Sequence, residues 1–468
     1  MERFSDFIAE LSSWLWGYPL LTLLFGTHIF LTFRLGFVQR HIGKAIRLSV
    51  TRDKDSHGDV SQFSALATAL AATIGTGNIV GVATAIAMGG PGAIMWTWLA
   101  GILGISTKYA EGLLALKYRV KREDGSIAGG PMYYLRYGLK NKLAGRILGS
   151  MFAAMAAMAA FGIGSSAQSN SIKDAVFTTF GLAGEVGIFG FSVSTKVLTG
   201  VVLALLVGLV IVGGIRSIAR VSQSVVPFMA CFYVAGCLWI LTTGWETLWD
   251  SLGIIVSQAF SLEAVGGGAA GSAIMLAARY GVSRGLFSNE SGLGSAAIVA
   301  AAARTRNPVR QALVSSSGTF WDTVVICALT GLTIVNTGAY ESGLTGFNLT
   351  RLAFAEIPCG ELMLGVALLM FAFTTIIGWS YYAEKSIEYL FGRKSVLPYK
   401  AVFLAMVFVG AVFSIDLVWN FADITNGLMA IPNLVALILL SGVIAAETKK
   451  YIKGDDIDKH SDDRIIES

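Results

Sequence analysis

The stretch Ala71-Ala72-Thr73-Ile74-Gly75-Thr76-Gly77-Asn78 lies inside the apolar run 61–89, and Ser288-Asn289-Glu290-Ser291-Gly292-Leu293-Gly294 lies inside a second run, 269–303. Glycine and small polar residues interrupt helical hydrogen bonding where a membrane helix is otherwise regular. In a bilayer, irregular backbone persists only where it is buried in protein or lines a cavity. Two breaks at corresponding places in two halves of a chain are typical of secondary transporters.

The composition places the chain in a membrane. Of its 468 residues, 54% are hydrophobic and 14% are charged, which excludes an ordinary soluble domain. A helix needs about 20 apolar residues to cross about 30 Å of hydrocarbon. We therefore predict an all-α polytopic membrane protein with 11 transmembrane helices, in the runs 14–34, 61–89, 92–116, 147–170, 196–213, 222–243, 269–303, 309–337, 361–391, 398–415 and 418–446.

The distribution of basic residues predicts the orientation. Most of the 35 Lys and Arg residues fall in alternate loops, namely 34–60, 117–146, 216–220, 304–310, 385–400 and 449–464. Cytoplasmic loops retain such an excess, so the N-terminus is predicted outside and the C-terminus inside. The net charge of +5 is explained by this anchoring and requires no nucleic-acid partner. The charged tail 447–468 is predicted to be a disordered cytoplasmic segment.

The two breaks also indicate an internal repeat. An offset of 217 residues carries Gly75 onto Gly292 and Pro91 onto Pro308. The first span and its loop, 1–60, then stand apart, and five spans in 61–243 match five in 269–446 across a connector at 244–268. An odd number of spans forces the second unit to enter the membrane from the opposite side, giving an inverted repeat. The competing interpretation is that these glycines only allow close helix packing.

The first break predicts what is bound. An unwound turn exposes the carbonyls of Ala71, Thr73 and Ile74 with the side chains of Thr73, Thr76 and Asn78, and neutral oxygens of this kind suit a weakly held monovalent cation. The amides beyond the break begin a half-helix, whose positive end attracts a carboxylate. Few charged side chains lie at that depth, which favours a small zwitterion. An amino acid meets these requirements.

At these residues the chain resembles the alanine or glycine:cation symporter family, which are sodium-coupled amino-acid carriers with the leucine-transporter (LeuT) fold. The matching pieces extend over about 11–447 and are 71–79, Gly89-Gly90-Pro91-Gly92-Ala93, Thr107-Lys108-Tyr109-Ala110-Glu111, Gly129-Gly130-Pro131-Met132-Tyr133-Tyr134, 284–290 and Gly378-Trp379-Ser380-Tyr381-Tyr382. The resemblance implies a 5+5 inverted repeat plus one extra N-terminal helix. It also implies sodium-driven import of alanine, with glycine or serine as further candidates, across the cytoplasmic (inner) membrane of a prokaryote.

The resemblance further implies particular site residues. Substrate contacts fall on Thr76, Gly77, Gln168 and Trp379, and the Na⁺ ligands on the carbonyls of Ala71 and Ile74 with the hydroxyls of Thr374 and Thr375. Alternatives stay open for each class of residue. The glutamine amide could join two helices, the indole could be plain core packing, and threonine hydroxyls often bond back to their own helix.

Intramembrane charges are costly and usually functional. Asp322 is a candidate second cation ligand or gate residue together with Thr73 and Asn78, and a structural ion pair is the alternative. Lys108 and Glu111 are three residues apart on one helical face, so we predict that they pair with each other. Glu290 is predicted either to join a salt-bridge network or to take part in gating.

Alternating access is the predicted mechanism, with Na⁺ and the amino acid jointly stabilising one state. Proton coupling, through Asp322 or Glu290, is the alternative within transport. An amino-acid-gated channel or sensor is a third possibility from another class. An intramembrane enzyme is excluded from the prediction because no constellation of nucleophile, base and metal ligands is visible.

Overall fold

The fold is almost entirely helical in the computed structural model, which describes residues 2–51, 53, 58–182, 184–188, 191–260, 270–413, 416–454, 456–461 and 465–467. Its first helices are α1 Glu2–Leu15, α2 Tyr18–Arg34, α3 Ile42–Ser49, α4 Gln62–Thr73, α5 Val82–Gly89, α6 Ala93–Lys117, α7 Pro131–Gly138, α8 Lys142–Phe161, α9 Ala167–Phe180, α10 Thr195–Ile211 and α11 Gly214–Thr243. The others are α12 Leu248–Phe260, α13 Ala270–Asn289, α14 Ser295–Ala300, α15 Pro308–Thr319, α16 Ala328–Asn336, α17 Gly346–Phe354, α18 Gly360–Phe391, α19 Val396–Val412, α20 Asp416–Leu439 and α21 Ser441–Thr448.

Shorter elements complete the described chain. Wide π-type turns occupy Gly77–Gly81, Gly162–Ser166, Phe320–Cys327 and Lys449–Lys453, and tight 3₁₀ turns occupy Val38–His41, Trp245–Thr247, Ala339–Ser342 and Arg393–Ser395. The strands are β1 Val120–Lys121, β2 Ile127–Ala128, β3 Glu185–Ile188, β4 Phe191–Ser194 and β5 Ile466–Glu467. β1 pairs antiparallel with β2 and parallel with β5, and β3 pairs antiparallel with β4.

By length and composition, eight helical segments of the described chain could cross a membrane: Asp6–Arg34, Ala93–Lys117, Lys142–Phe180, Gly214–Thr243, Pro308–Asn336, Gly360–Phe391, Arg393–Val412 and Phe421–Leu439. The pair Gln62–Thr73 and Gly77–Gly89, bent by 52°, makes a ninth if counted as one span. The predicted run 196–213 is the apolar but shorter helix Thr195–Ile211, and the run 269–303 is divided between α13 and α14. The prediction of a polytopic helical membrane protein is therefore confirmed. The described helices give eight or nine candidate spans, and the number eleven stays a prediction.

Both predicted breaks interrupt helices. α4 ends at Thr73, and Ile74 leaves the helical region with φ −75° and ψ 94°. The second break separates α13 from α14 at residues 290–294, where Gly292 and Gly294 have φ of +93° and +82°. Glu290 also has a positive φ, 55°, which is a strained conformation for a residue with a side chain. Glycines at 292 and 294 thus supply backbone shapes that other residues adopt only at a cost.

We name as the basic face the surface where residues 58–60, 302–307 and 457–461 meet. Backbone hydrogen bonds there join the chain before α4 to the chain after α14. Val60 and Ala303 form a parallel bridge, in which the Val60 amide donates to the Ala302 carbonyl (3.2 Å) and the Arg304 amide donates to the Val60 carbonyl (2.8 Å). The bridge fastens the chain entering α4 to the chain leaving α14. The start of α4 and the end of α14 are therefore held together at the basic face.

The prediction of a disordered tail is wrong for the residues that the structure describes. α21 continues into the turn Lys449–Lys453, and the tail side chains of Tyr451 and Ile457 are buried. Asn307 Nδ2 donates to the carbonyls of Ile457 and Lys459, both at 2.9 Å. The sequence misled because the tail is charged, yet it buries apolar side chains and adds strand β5 beside β1.

Charged side chains secure the tail to the start of α15. Arg310 is ion-paired with Asp458 of the tail and, at 3.5 Å between Nε and Oδ2, with Asp53. The Arg310 and Asp53 side chains are 3% and 1% exposed, whereas Asp458 is 74% exposed. Asp53 is also ion-paired with Arg306, whose amide donates to Asp53 Oδ2 at 2.9 Å. Removal of Arg310 therefore takes one of two cationic partners from a buried carboxylate.

We predict that Arg310→Met destabilises the purified protein by about 1.5–3 kcal/mol, because the buried Asp53 loses one charged partner while keeping Arg306. Asp458→Asn is the matched control, since losing an exposed ion pair costs about 0–1 kcal/mol. Thermal unfolding in detergent measures both. Equal melting temperatures for the two variants would show that the buried pair does not stabilise the basic face.

Candidate functional site

Three of the wide turns adjoin residues predicted for the site, and two of them, Gly77–Gly81 and Phe320–Cys327, contact each other. Gly77–Gly81 follows the first break, Gly162–Ser166 immediately precedes Gln168, and Phe320–Cys327 contains Asp322. Such turns are rare and occur often at functional sites, because the extra residue redirects side chains and loosens the backbone ladder. Hydrophobic periodicity does not reveal such turns, so the sequence predicts ordinary helix at 162–166 and 320–327, whereas Gly77 and Asn78 belong to the predicted first break.

Gly75 is the point where the first break meets two other helices. A Cβ atom on Gly75 would lie 2.5 Å from Thr375 Oγ1 on α18 and 3.6 Å from Gln168 Oε1 on α9. Only glycine lets these polar atoms approach the unwound backbone. Thr375 Oγ1 donates to the Phe371 carbonyl of its own helix at 2.9 Å and also lies 3.4 Å from the Ile74 carbonyl. The predicted site residues Ile74, Gln168 and Thr375 are therefore neighbours around Gly75.

The Gln168 side chain is buried and only partly satisfied. Its Nε2 donates to the Ile163 carbonyl at 3.3 Å, while no residue in the described part of the chain donates to its Oε1. An unpaired buried acceptor costs roughly 1–3 kcal/mol. An oxygen so placed, facing Gly75, is suited to receive an N–H group from a ligand.

Trp379 lies on the same side of α18, one turn beyond Thr375. Its side chain is buried, and its ring meets the Tyr382 ring edge-on, with centroids 5.6 Å apart. A Cβ atom on Gly164 would lie 2.6 Å from the Trp379 Cβ. The wide turn with its glycine therefore makes room for the indole beside the segment that carries Gln168.

Asp322 links the two breaks. Asn78 Nδ2 of the first break donates to Asp322 Oδ1 at 2.8 Å, and Ser288 Oγ of α13 donates to Asp322 Oδ2 at 2.9 Å. Thr323 Oγ1 also donates to Oδ2 at 2.8 Å. The carboxylate is fully buried and is held by neutral donors, so the alternative of a structural ion pair finds no support among these contacts.

Asn78 also caps the break itself, because its Oδ1 accepts from the Gly75 amide at 2.9 Å. The first break also packs against the last turn of α13, since a Cβ atom on Gly77 would lie 3.5 Å from the Ser288 Cα. Two further predicted residues, Thr374 and Thr73, bond back to their own helices. Thr374 Oγ1 donates to the Phe371 carbonyl (3.0 Å) and approaches the Met229 sulfur, and Thr73 Oγ1 donates back to the Ala69 carbonyl (3.2 Å).

The sequence analysis missed the role of Glu111. Instead of pairing with Lys108, its Oε1 accepts from the amides of Gly292 (2.9 Å) and Gly294 (3.0 Å). Asn433 Nδ2 of α20 donates to the same oxygen at 2.7 Å. These amides precede α14, where helix ends leave N–H groups without partners. The fully buried carboxylate thus satisfies the amides of the second break and its positive helix end.

Lys108 completes the same arrangement. Its Nζ donates to the Asn289 carbonyl at 2.7 Å, where α13 ends. Glu290 Oε2 accepts from Ser295 Oγ at 2.5 Å across the break. One helix, α6, therefore supplies a cation to the carbonyl end and an anion to the amide end of the second break. The only sequence signal was the pair of charges inside an apolar span.

The chain matches the sodium:alanine symporter family over residues 1–464. It belongs to that family. This sodium:alanine symporter family member is 49% identical over 456 residues to the sodium/alanine symporter AgcS of Methanococcus maripaludis, covering 96% of this chain and 97% of AgcS. It is 37% identical to a protein of Bacillus subtilis named "Probable sodium/glutamine symporter GlnT", covering 94% of this chain and 89% of that protein.

A solved structure gives the fold. The crystal structure of MhsT in complex with L-phenylalanine matches 84% of this symporter family member and 98% of MhsT, with a TM-score of 0.54 and 13% identity. The LeuT-type fold and the resemblance are thereby confirmed. Family and relatives are symporters rather than enzymes, which confirms that prediction too. Amino-acid and cation symport across a membrane follows from the family.

We predict that Glu111→Leu strongly destabilises the protein, because the buried amides of Gly292 and Gly294 lose their acceptor at roughly 1–3 kcal/mol each. Glu111→Gln is the matched control, since its amide oxygen still accepts from both. Thermal unfolding and alanine binding of the purified variants are the measurements. A Leu variant as stable as the wild type would show that the carboxylate does not secure the second break.

Proposed function

We propose that this protein imports small neutral amino acids, alanine first and glycine or serine as further candidates, by coupling their entry to Na⁺. The observation that supports this most directly is the meeting of the unwound first break with Thr375 and Gln168 around Gly75. Oxygen atoms for a cation and an unpaired buried acceptor for a zwitterion lie side by side there. The names of the relatives, alanine and glutamine symporters, agree with a neutral amino acid.

A difference between the two breaks supports placing the substrate carboxylate at the first one. At the second break, Glu111 already accepts from the amides of Gly292 and Gly294, so a second anion there would meet a negative charge. The first break, beyond Ile74, begins the half-helix that contains Thr76 and Gly77, and helix N-termini bind carboxylates. We place the carboxylate at these two residues. The ammonium group then lies toward Gln168 Oε1.

The pocket size is assigned to Trp379. Its indole lies beside Gly164 of the segment that carries Gln168, and its ring is buried against Tyr382. A bulky ring at this position leaves room for a short side chain only. Pockets discriminate between substrates by the methylenes that they exclude, at roughly 1–3 kcal/mol each.

The first Na⁺ site is assigned to the carbonyls of Ala71 and Ile74 with the hydroxyls of Thr374 and Thr375. The 3.4 Å approach of Thr375 Oγ1 to the Ile74 carbonyl supports the central part of this site. A second cation site or gate is assigned to Asp322 with Asn78 and Thr73. Of these, Asn78 donates its side-chain N–H to Asp322 Oδ1 at 2.8 Å and so orients the carboxylate, whose oxygens are the ligands that hard cations prefer.

The mechanism we propose is alternating access. We propose eleven spans, of which ten form a 5+5 inverted repeat in 61–243 and 269–446. The extra helix lies in 1–60, the connector is 244–268, which lies partly outside the described residues, and the tail is 447–468. The membrane is the inner membrane of a prokaryote, with the N-terminus outside. The basic face is then cytoplasmic. We propose that the bridge between Val60 and Ala303 opens when substrate is released on that side.

Proton coupling remains the alternative, carried by Asp322 or Glu290, which are buried carboxylates at the breaks. Uptake of labelled amino acids into proteoliposomes decides coupling ion and substrate together. We expect uptake driven by a Na⁺ gradient at fixed pH, with alanine preferred. Uptake that follows an imposed proton gradient without Na⁺ would overturn sodium coupling, and flux without any gradient dependence would indicate a channel.

We predict that Thr375→Val raises the Na⁺ concentration for half-maximal uptake by about 2-fold to 10-fold, because a hydroxyl ligand contributes about 0.5–1.5 kcal/mol. Thr374→Val is the matched variant, and we expect a smaller increase because that hydroxyl faces the Met229 sulfur. Unchanged Na⁺ dependence in both variants, at normal membrane insertion, would remove these hydroxyls from the cation site.

We predict that Gln168→Leu weakens alanine binding by roughly 5-fold to 150-fold, because the ligand's N–H group loses its acceptor at about 1–3 kcal/mol. Na⁺ binding without substrate serves as the control and should be retained. Calorimetry on the purified protein measures both. Wild-type alanine affinity, or loss of Na⁺ binding alone, would contradict this assignment.

A further inference from the structure

An apolar groove opens on the side of the molecule between α3, α4, α11 and the wide turn Phe320–Cys327. Its volume is about 320 Å³, and its wall is almost entirely hydrocarbon. The residues that line it include Leu70, Ile74, Ala230 and Trp321. The groove is distinct from the predicted substrate contacts, since its lining includes none of Thr76, Gly77, Gln168 and Trp379.

The groove begins at a basic helix. Its rim on α3 is formed by Ile46, Ser49 and Val50. The same helix and the turn before it carry Lys44, Arg47 and Arg40, of which the two arginines are exposed. A short amphipathic helix with basic residues on its polar side is typical of an element that lies at a membrane interface. Basic residues at that depth attract anionic lipid headgroups.

The apolar part reaches the first break. Leu70 is on the last turn of α4, and Ile74 is the residue at which the backbone leaves the helix. The Trp321 side chain, 37% exposed, forms part of the opposite wall. A chain lying in the groove would therefore fill the space between α4 and α11 and hold the first half-helix in its present position.

We infer that this groove binds one anionic phospholipid, with an acyl chain between α4 and α11 and the headgroup at Arg40 and Arg47. The apolar wall matches the hydrocarbon chain, and the positive charge at only one end selects the headgroup and orients the lipid. This inference concerns the lipid-facing surface and stands independently of which amino acid or ion is transported.

Trp321 provides the test. The full-length protein is reconstituted in phosphatidylcholine vesicles that contain a small fraction of phosphatidylglycerol brominated on its acyl chains, and tryptophan fluorescence is compared with that of Trp321→Phe. The difference reports quenching of Trp321 alone. We expect half-maximal quenching at a much lower fraction of brominated phosphatidylglycerol than of brominated phosphatidylcholine, by about 5-fold for each arginine that contacts the headgroup.

Two sets of variants complete the experiment. Arg40→Gln with Arg47→Gln should abolish the preference for the anionic lipid, and Ala230→Phe, which fills the groove, should abolish the preferential quenching. Cys231→Phe, on the same wall, serves if Ala230→Phe fails to fold by size-exclusion chromatography. Equal quenching by both lipids in the wild type, or an unchanged preference in the arginine variant or the folded groove-filling variant, would overturn the inference.

Discussion

Buried polar backbone must find partners inside the protein, and this constraint organises the whole structure. A helix interrupted within a membrane frees amides and carbonyls that lipid cannot satisfy. Glu111 meets the requirement at the second break by accepting from the amides of Gly292 and Gly294. Lys108 meets it at the carbonyl end. Two charges that are expensive to bury are thus retained because each replaces hydrogen bonds that a regular helix would have made.

The first break is satisfied differently, and the difference gives the site its direction. Asn78 supplies the local cap to the Gly75 amide and contacts Asp322, so neutral groups line most of this region. An anion is already present at the second break, while the first has oxygens around Gly75 and the start of a half-helix. In the function proposed above, the zwitterion and the cation therefore lie beside the first break, where oxygen atoms of Thr375 and Gln168 approach Gly75.

The same half-helix, α4, links the site to the rest of the molecule. Its beginning is attached to the end of α14 through the bridge at Val60, and its end approaches Thr375 of α18. Its outer surface forms a wall of the lipid-facing groove. A ligand at the break, a backbone bridge at the basic face and a lipid in the groove would all act on the position of one short helix. Coupling between sites requires such an element with two arrangements.

The sequence by itself determined the class of the protein. Apolar runs, glycines in two of them and the 217-residue offset sufficed for a helical membrane protein with two breaks, because helix length and backbone freedom are local properties. Residues near the breaks, such as Thr375 and Gln168, could be chosen because of their chemistry and the family resemblance. The alternation of basic loops predicted an orientation for the same local reason.

Only the tertiary structure decided which polar groups meet. Lys108 and Glu111 were predicted to pair because they are close in sequence, but each finds a stronger partner in a backbone more than 100 residues away. The charged tail packs onto Arg310 and β1 because burial of Tyr451 and Ile457 depends on surfaces that no local pattern describes. Partners distant in sequence, rather than local propensity, determine where a buried polar group is satisfied.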